Sequence, residues 1–283
     1  MKKVINLVTI SIAVSFVLWA CGDSVSEFLF DADKERQLGD DFNTALKDSI
    51  GDTFLDANHP FKKYVDSLKD ELVETIPESE WETVRPTGFE DPKKFFTVQV
   101  IKEDVANAFA VPGGYFYLYT GILETMEDEA ELVAVMGHEI GHVLGHHARD
   151  RILLASAGGA ALSVLLGGDG DATELVASLG FAYFLKENGK PDELESDAYG
   201  IEFAKNIKVK PTGIETYFGR GIINEEGKCV DDSNLVEDVF STHPPNCDRV
   251  NQAKEIVGGY SDEEKAFSPY KGRYDKMVKT LSN

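Results

Sequence analysis

The sequence predicts an α+β fold, mostly helical, with one small antiparallel sheet, and three observations carry that reading. Phe61, Tyr64, Val65, Leu68, Leu72, Val73 and Ile76 recur at helical spacing. Three strand-like runs lie close together: Phe95 to Ile101, Ala106 to Val111 and Tyr115 to Tyr119. The turn Pro112-Gly113-Gly114 stands before the third. From Thr120 onward the periodicity is helical.

The chain opens with Lys2 and Lys3, then an uncharged, mostly apolar run from Val4 to Ala20. That is the layout of an export signal over residues 1–20. Ala20-Cys21-Gly22 at its end looks like a bacterial lipoprotein cleavage site, with Cys21 as the lipidated residue and the anchor to a membrane. A simple signal peptide and an uncleaved anchor are the alternatives. All three place the domain outside the cytoplasm, and the lipoprotein reading places it in the bacterial cell envelope, facing the periplasm. Residues 21–50 read as an acidic linker running into a helix, and 51–283 as the main domain.

The apolar-periodic helix closes at Pro77, and a loop with Pro86, Gly88 and Pro92 precedes the sheet. After the sheet, Glu127, Asp128, Glu129 and Glu131 suit the opening of a helix running to about His147. Ile152 to Leu166 is apolar but too short to span a bilayer comfortably. With Ala172 to Lys186 it reads as a buried helical hairpin, or as a lid or lipid-facing element. Asp192 to Asn206 forms a further helix, and helices with loops complete the chain.

The composition bounds the function. A formal net charge of −22 over 283 residues argues against nucleic acid or an anionic membrane surface as partner. Beyond Cys21 the cysteines are Cys229 and Cys247. In an oxidising compartment they are a candidate disulfide, and two separate buried thiols are the alternative.

His138-Glu139-Ile140-Gly141-His142 is the pattern that carries chemistry. Residues i and i+4 share a helix face, so both imidazoles reach one metal while Glu139 reaches its water. A zinc ion needs three protein ligands and an open position, and brings the pKa of its water toward neutrality. Glu139 then acts as general base and returns the proton to the leaving amine. The extended form HExxHxxGxxH is excluded, because position 148 is Ala148 and His147 falls one residue early. The third ligand is therefore expected to be a carboxylate on another helix, a zincin-like arrangement of the gluzincin type. In Glu193-Leu194-Glu195-Ser196-Asp197, Glu193 and Asp197 share a face. One can bind zinc while the other orients a ligand histidine. Glu195 points away, and His146 and His147 are read as supporting or structural groups around the ligands.

Four segments together resemble peptidase family 48 of the metallopeptidases, the group with HtpX-like heat-shock and CAAX prenyl proteases, in its soluble periplasmic branch. They are Asn107-Ala108-Phe109-Ala110 with Pro112-Gly113-Gly114 and Thr120-Gly121, the HExxH motif, Glu193 to Asp197, and Ser241-Thr242-His243-Pro244-Pro245 with Arg249. The resemblance implies one zinc per chain on His138, His142 and Glu193, with Asp197 behind a ligand. It implies that Asn107, Ala108, Phe109 and Ala110 form an edge strand that pairs with an extended polypeptide substrate. It places His243 facing the metal, as an oxyanion donor or a cap on the fourth position, and Arg249 beside it as a polar support in the catalytic group. Ser196 stands where the family usually has Ala, and Gly189-Lys190-Pro191 replaces a serine-arginine stretch. The expected activity is a zinc-dependent endopeptidase of cell-envelope proteins. The alternative is an envelope assembly or chaperone factor whose proteolysis is latent.

Overall fold

The computed structural model describes residues 31–156, 188–220, 222–224, 226–230, 243 and 247–282. The export signal, Cys21 and the apolar hairpin beyond Ser156 lie outside them. The described helices are α1 (Ala32–Ile50), α2 (Pro60–Val73), α3 (Glu78–Val84), α4 (Pro92–Phe95), α5 (Thr120–Glu124), α6 (Glu129–Leu144), α7 (His147–Ser156), α8 (Lys190–Asn206), α9 (Gly213–Gly219), α10 (Cys247–Gly258), α11 (Asp262–Lys265) and α12 (Lys271–Val278). The strands are β1 (Thr97–Ile101), β2 (Ala108–Val111) and β3 (Tyr115–Tyr119). Among the described residues no helix is long and apolar enough to cross a membrane.

The sheet is mixed, a correction to the wholly antiparallel expectation. Its order is β1-β3-β2, with β2 antiparallel to β3 and β1 parallel to it. Only the Pro112–Gly114 turn joins neighbouring strands tightly. Residues 102–107 carry the chain across to the far edge, leaving β3 in the middle. All five residues of β3 are buried, as a central strand covered on both faces requires.

Alternation along the strands divides the core in two. Val98, Val100, Ala108, Ala110, Phe116 and Leu118 face the main helical core. Phe109, Val111, Tyr115, Tyr117 and Tyr119 face Leu38, Phe42 and Leu46 of α1. The sheet therefore lies between α1 and the remaining helices, with side chains of period two serving both layers.

Helix α6 is buried along its whole length. Asp128 caps it, accepting from the Glu131 backbone N–H at 3.2 Å. Its first-turn acids are buried too. Glu129 pairs with Arg273 and takes a hydrogen bond from Tyr64 Oη at 2.6 Å, while Glu131 pairs with Arg220. A buried carboxylate without partners is costly, and the arginines and Tyr64 supply those partners.

Helices α6 and α8 pack most closely where side chains are smallest. A Cβ at Gly137 would stand 2.9 Å from Gly200 Cα, and one at Gly200 would stand 2.6 Å from the Ala134 carbonyl oxygen. A Cβ at Gly141 would meet Ser196 Cα at 3.0 Å. This approach brings side chains of the two backbones to a common point.

Candidate metal centre

His138 and His142 lie one turn apart on α6, and Glu193 lies in the first turn of α8 opposite them. The two imidazole Nε2 atoms are 3.0 Å apart. Glu193 Oε2 lies 3.5 Å from His138 Nε2, and Oε1 lies 3.3 Å from His142 Nε2. His243 joins them, its Nδ1 at 2.8 Å from Glu193 Oε1 and 3.1 Å from His138 Nε2. All four residues are buried, and their donor atoms lie within 4.8 Å of one another.

The outer ring nitrogens decide which lone pairs face inward. His138 Nδ1–H donates to Asp197 Oδ1 at 2.8 Å. Asp197 stays ionised: burial pushes its pKa up, but the Arg249 guanidinium more than offsets this and holds it below the usual range. His142 Nδ1 lies 2.8 Å from His147 Nδ1. His147 presents its Nε2 to Glu195 at 3.5 Å, the N–H side, so its Nδ1 accepts from His142. Both ligand candidates thus carry an Nε2 lone pair aimed at the same point. Burial holds His142 well below its ordinary pKa, hence neutral.

Glu193 is ionised against its burial, because His243, Arg249 and His138 together hold its pKa well down. Two converging nitrogen lone pairs and a buried carboxylate form a donor set of the borderline-soft kind that zinc takes. For four ligands at about 2.0–2.1 Å in a tetrahedron, donor separations are roughly 3.3 Å. The observed spacing around His138, His142 and Glu193, 3.0 to 3.5 Å, fits that ion.

Glu139 sits between the ligands on α6 with both carboxylate oxygens buried and no hydrogen-bond partner among the described residues. Its Oε1 is 3.3 Å from His243 Nε2. Burial raises its pKa, with partial relief from His243 and His138.

Arg249 lies against the acids of α8. It is fully buried, forks onto Asp197 with Nε and Nη2 at 2.7 and 2.6 Å, and places Nη1 2.9 Å from Glu193. Nη1 also donates to the His243 carbonyl at 3.1 Å, and the guanidinium stacks 3.6 Å above the Phe218 ring. It thereby ties the loop of His243 to the acids of α8. Cys229 and Cys247 are joined as a disulfide with Cα atoms 5.5 Å apart, closing the loop that carries His243.

The expectation that His146 supports a ligand is corrected. Helix α6 ends at Leu144, not near His147, and His146 follows Gly145 with φ of 54°. Its ring turns to Glu35 on α1, Nδ1 to Oε1 at 2.7 Å. On an unbroken helix His146, at i+4 from His142, would have shared its face; the break rotates His147 into that place. Gly145 makes room for this, since a Cβ there would strike the His147 ring at 2.4 Å. Asn188 is the other neighbour that sequence patterns did not single out. Its Nδ2 approaches His142 Nε2 at 3.4 Å and His243 Nδ1 at 3.3 Å.

Asn107, Ala108, Phe109 and Ala110 run along the sheet edge beside this cluster. Asn107 O accepts from Tyr119 N at 3.1 Å, so strand alternation turns the backbone of Ala108 and Ala110 away from β3. Two small concavities meet at His243. One holds Asn107, Ala108, Glu139 and Phe218, and the other Phe109, Ala110, His142 and Asn188.

Comparison with known proteins agrees with this centre. The model of peptidase family M48 matches residues 73–257. Metalloprotease LoiP of Escherichia coli is 26% identical over 221 residues, covering 67% of this chain and 82% of LoiP. The mitochondrial metalloendopeptidase OMA1 of Schizosaccharomyces pombe is 25% identical, covering 79% of this chain and 61% of its own length. The beta-barrel assembly-enhancing protease of Escherichia coli is 28% identical over 81% of this chain, which spans only 46% of that protein. The matched residues span well over half the chain and include all four residues of the donor cluster, so this chain belongs to peptidase family M48 and is a zinc metalloendopeptidase.

Proposed function

We propose that the protein cleaves extended polypeptides of the cell envelope, with His138, His142 and Glu193 holding zinc and Glu139 as the general base. The observation that carries this is the pairing of a converging three-donor set with a buried Glu139 beside it that has no hydrogen-bond partner among the described residues. Zinc, when bound, polarises a carbonyl and renders a water acidic near neutral pH. The chain supplies the rest. Glu139 takes a proton on its carboxylate and passes it to the leaving amine, a role suited by a pKa raised through burial. Asp197 and His147 keep the two imidazoles in the tautomers that leave Nε2 free to ligate. The edge strand β2 supports backbone pairing with the substrate along the cluster. An envelope location and a lipid anchor at Cys21 are part of the same reading, supported by the N-terminal signal pattern and by the similarity to LoiP and to the beta-barrel assembly-enhancing protease.

The test is Glu139→Gln. It should keep about one zinc per chain by metal analysis while peptide hydrolysis falls roughly 10²–10⁴-fold. Full activity in that metal-replete protein would sink the assignment.

A second reading, latent proteolysis in an assembly factor, is favoured by His243, whose Nδ1 sits among the ligand donors at 2.8 and 3.1 Å. As a cap on the fourth position it competes with water, and His243→Ala raises casein degradation. As an oxyanion donor, its loss lowers activity by roughly 10²–10³. We place His243 as the cap, so the expected result is a rise.

A further inference from the structure

Glu35 is a buried carboxylate that the chemistry above does not use, and it precedes the residues matched to the family. Its Oε1 accepts from His146 Nδ1 at 2.7 Å and from Arg149 Nη1 at 3.3 Å. The helix that presents it is fixed on both sides. Arg36 donates to the carbonyls of Phe95 at 2.9 Å and Gly113 at 3.0 Å. Asp33 accepts from Thr87 N and Oγ1 at 2.6 and 2.8 Å. Gly39 lies so close to the Pro112 carbonyl that a Cβ would stand 2.3 Å from its oxygen. Glu35 is thus offered from a rigid frame.

What Glu35 grips is a residue in an unfavourable conformation. His146 is not glycine, yet it has φ of 54°; left-handed backbone is unfavourable for such a residue and persists where surrounding contacts impose it. The next residue is His147, whose Nδ1 meets His142 Nδ1 at 2.8 Å. The direction in which the chain leaves His146 sets where that ring falls.

We propose that Glu35 is a positioning residue of the metal centre: by holding His146 in the left-handed conformation, it seats His147 against the ligand His142. The inference rests on His142 being a zinc ligand. Helix α1 then has a function beyond covering the sheet, since it couples the turn next to the substrate strand with the turn behind a ligand.

The experiment is zinc affinity by chelator competition on the full chain, for wild type, Glu35→Gln, His147→Ala and the double variant. Glu35→Gln should weaken zinc binding about 3- to 10-fold, less than the roughly 10- to 100-fold loss typical of a direct partner of a ligand. The melting of the zinc-free protein should be nearly unchanged. With His147→Ala already present, the same substitution should change affinity by less than about twofold, because contacting groups acting in series are not additive. His146→Gly removes the grip yet tolerates the backbone angles, and should reproduce the Glu35→Gln loss. Unchanged affinity in folded Glu35→Gln, or equal losses with and without His147, overturns the proposal. Where Glu35→Gln does not fold, unchanged affinity in His146→Gly does so. Wild-type chain that binds no zinc overturns the ligand assignment, and the proposal with it.

Discussion

Asp197 and His147 support the two imidazoles in different ways. Asp197 is an ion clamped by Arg249, so the His138 tautomer is held by a charge–dipole contact with fixed geometry. His147 is a neutral ring, its pKa lowered by burial, and holds His142 through one hydrogen bond. Asp197→Asn should therefore lower zinc affinity about 10- to 100-fold, measured by the same chelator competition, with helix content preserved by circular dichroism. Unaltered affinity would show that Arg249 and Glu193 suffice without it. At this scale the sequence was informative wherever a residue sat inside a regular helix. His138, Glu139 and His142 are legible from spacing alone, as are Glu193 and Asp197 as a same-face pair. Spacing did not separate His146 from His147, because the helix breaks at Gly145 and sends the two rings to different partners, Glu35 and His142.

Between elements, the close approach of α6 and α8 decides whether His138 and His142 of one helix meet Glu193 of the other. Beside Gly137 and Gly141, Gly200 has less room, facing backbone that cannot move aside. Gly200→Ala should destabilise the protein by about 1–3 kcal/mol, typical of an overfilled core. It should also weaken zinc binding, because any outward shift of α8 carries Glu193 with it. Thermal denaturation with and without zinc separates the two effects. A variant as stable as wild type and with equal zinc affinity would show that the helices have slack. The helix starts and stops were largely readable, since α2, α6 and α8 carry periodic apolar residues or motifs. The parallel pairing of β1 with β3 was not. Consecutive strand-like runs read as hairpins, and only the crossing of residues 102–107 to the far edge places β3 between them.

Across the whole molecule, residues distant in sequence are held to one point by covalent and ionic ties. The Cys229–Cys247 disulfide, with a separation of 18 residues, closes the segment that delivers His243. In the chain-entropy model a loop of that size confers about 3 kcal/mol. Replacing both cysteines by serine should lower the urea midpoint accordingly, and should change casein hydrolysis in the same direction as His243→Ala. Unaltered stability together with unaltered hydrolysis would show that the Arg249 contact to the His243 carbonyl secures the loop unaided. Composition and motif by themselves determined a mostly helical α+β chain with an HExxH helix and a distant carboxylate, and the family resemblance added the histidine that returns to them. Local spacing encodes the motif directly, since i and i+4 on one helix share a face in any fold. Only the tertiary structure decided what stands behind each imidazole, namely Asp197 with Arg249 behind His138 and His147 behind His142, and the packing of α1 beneath the sheet. Those contacts join positions as far apart as Glu35 and His146. They depend on where one helix ends and how closely two others pack, which no local pattern states.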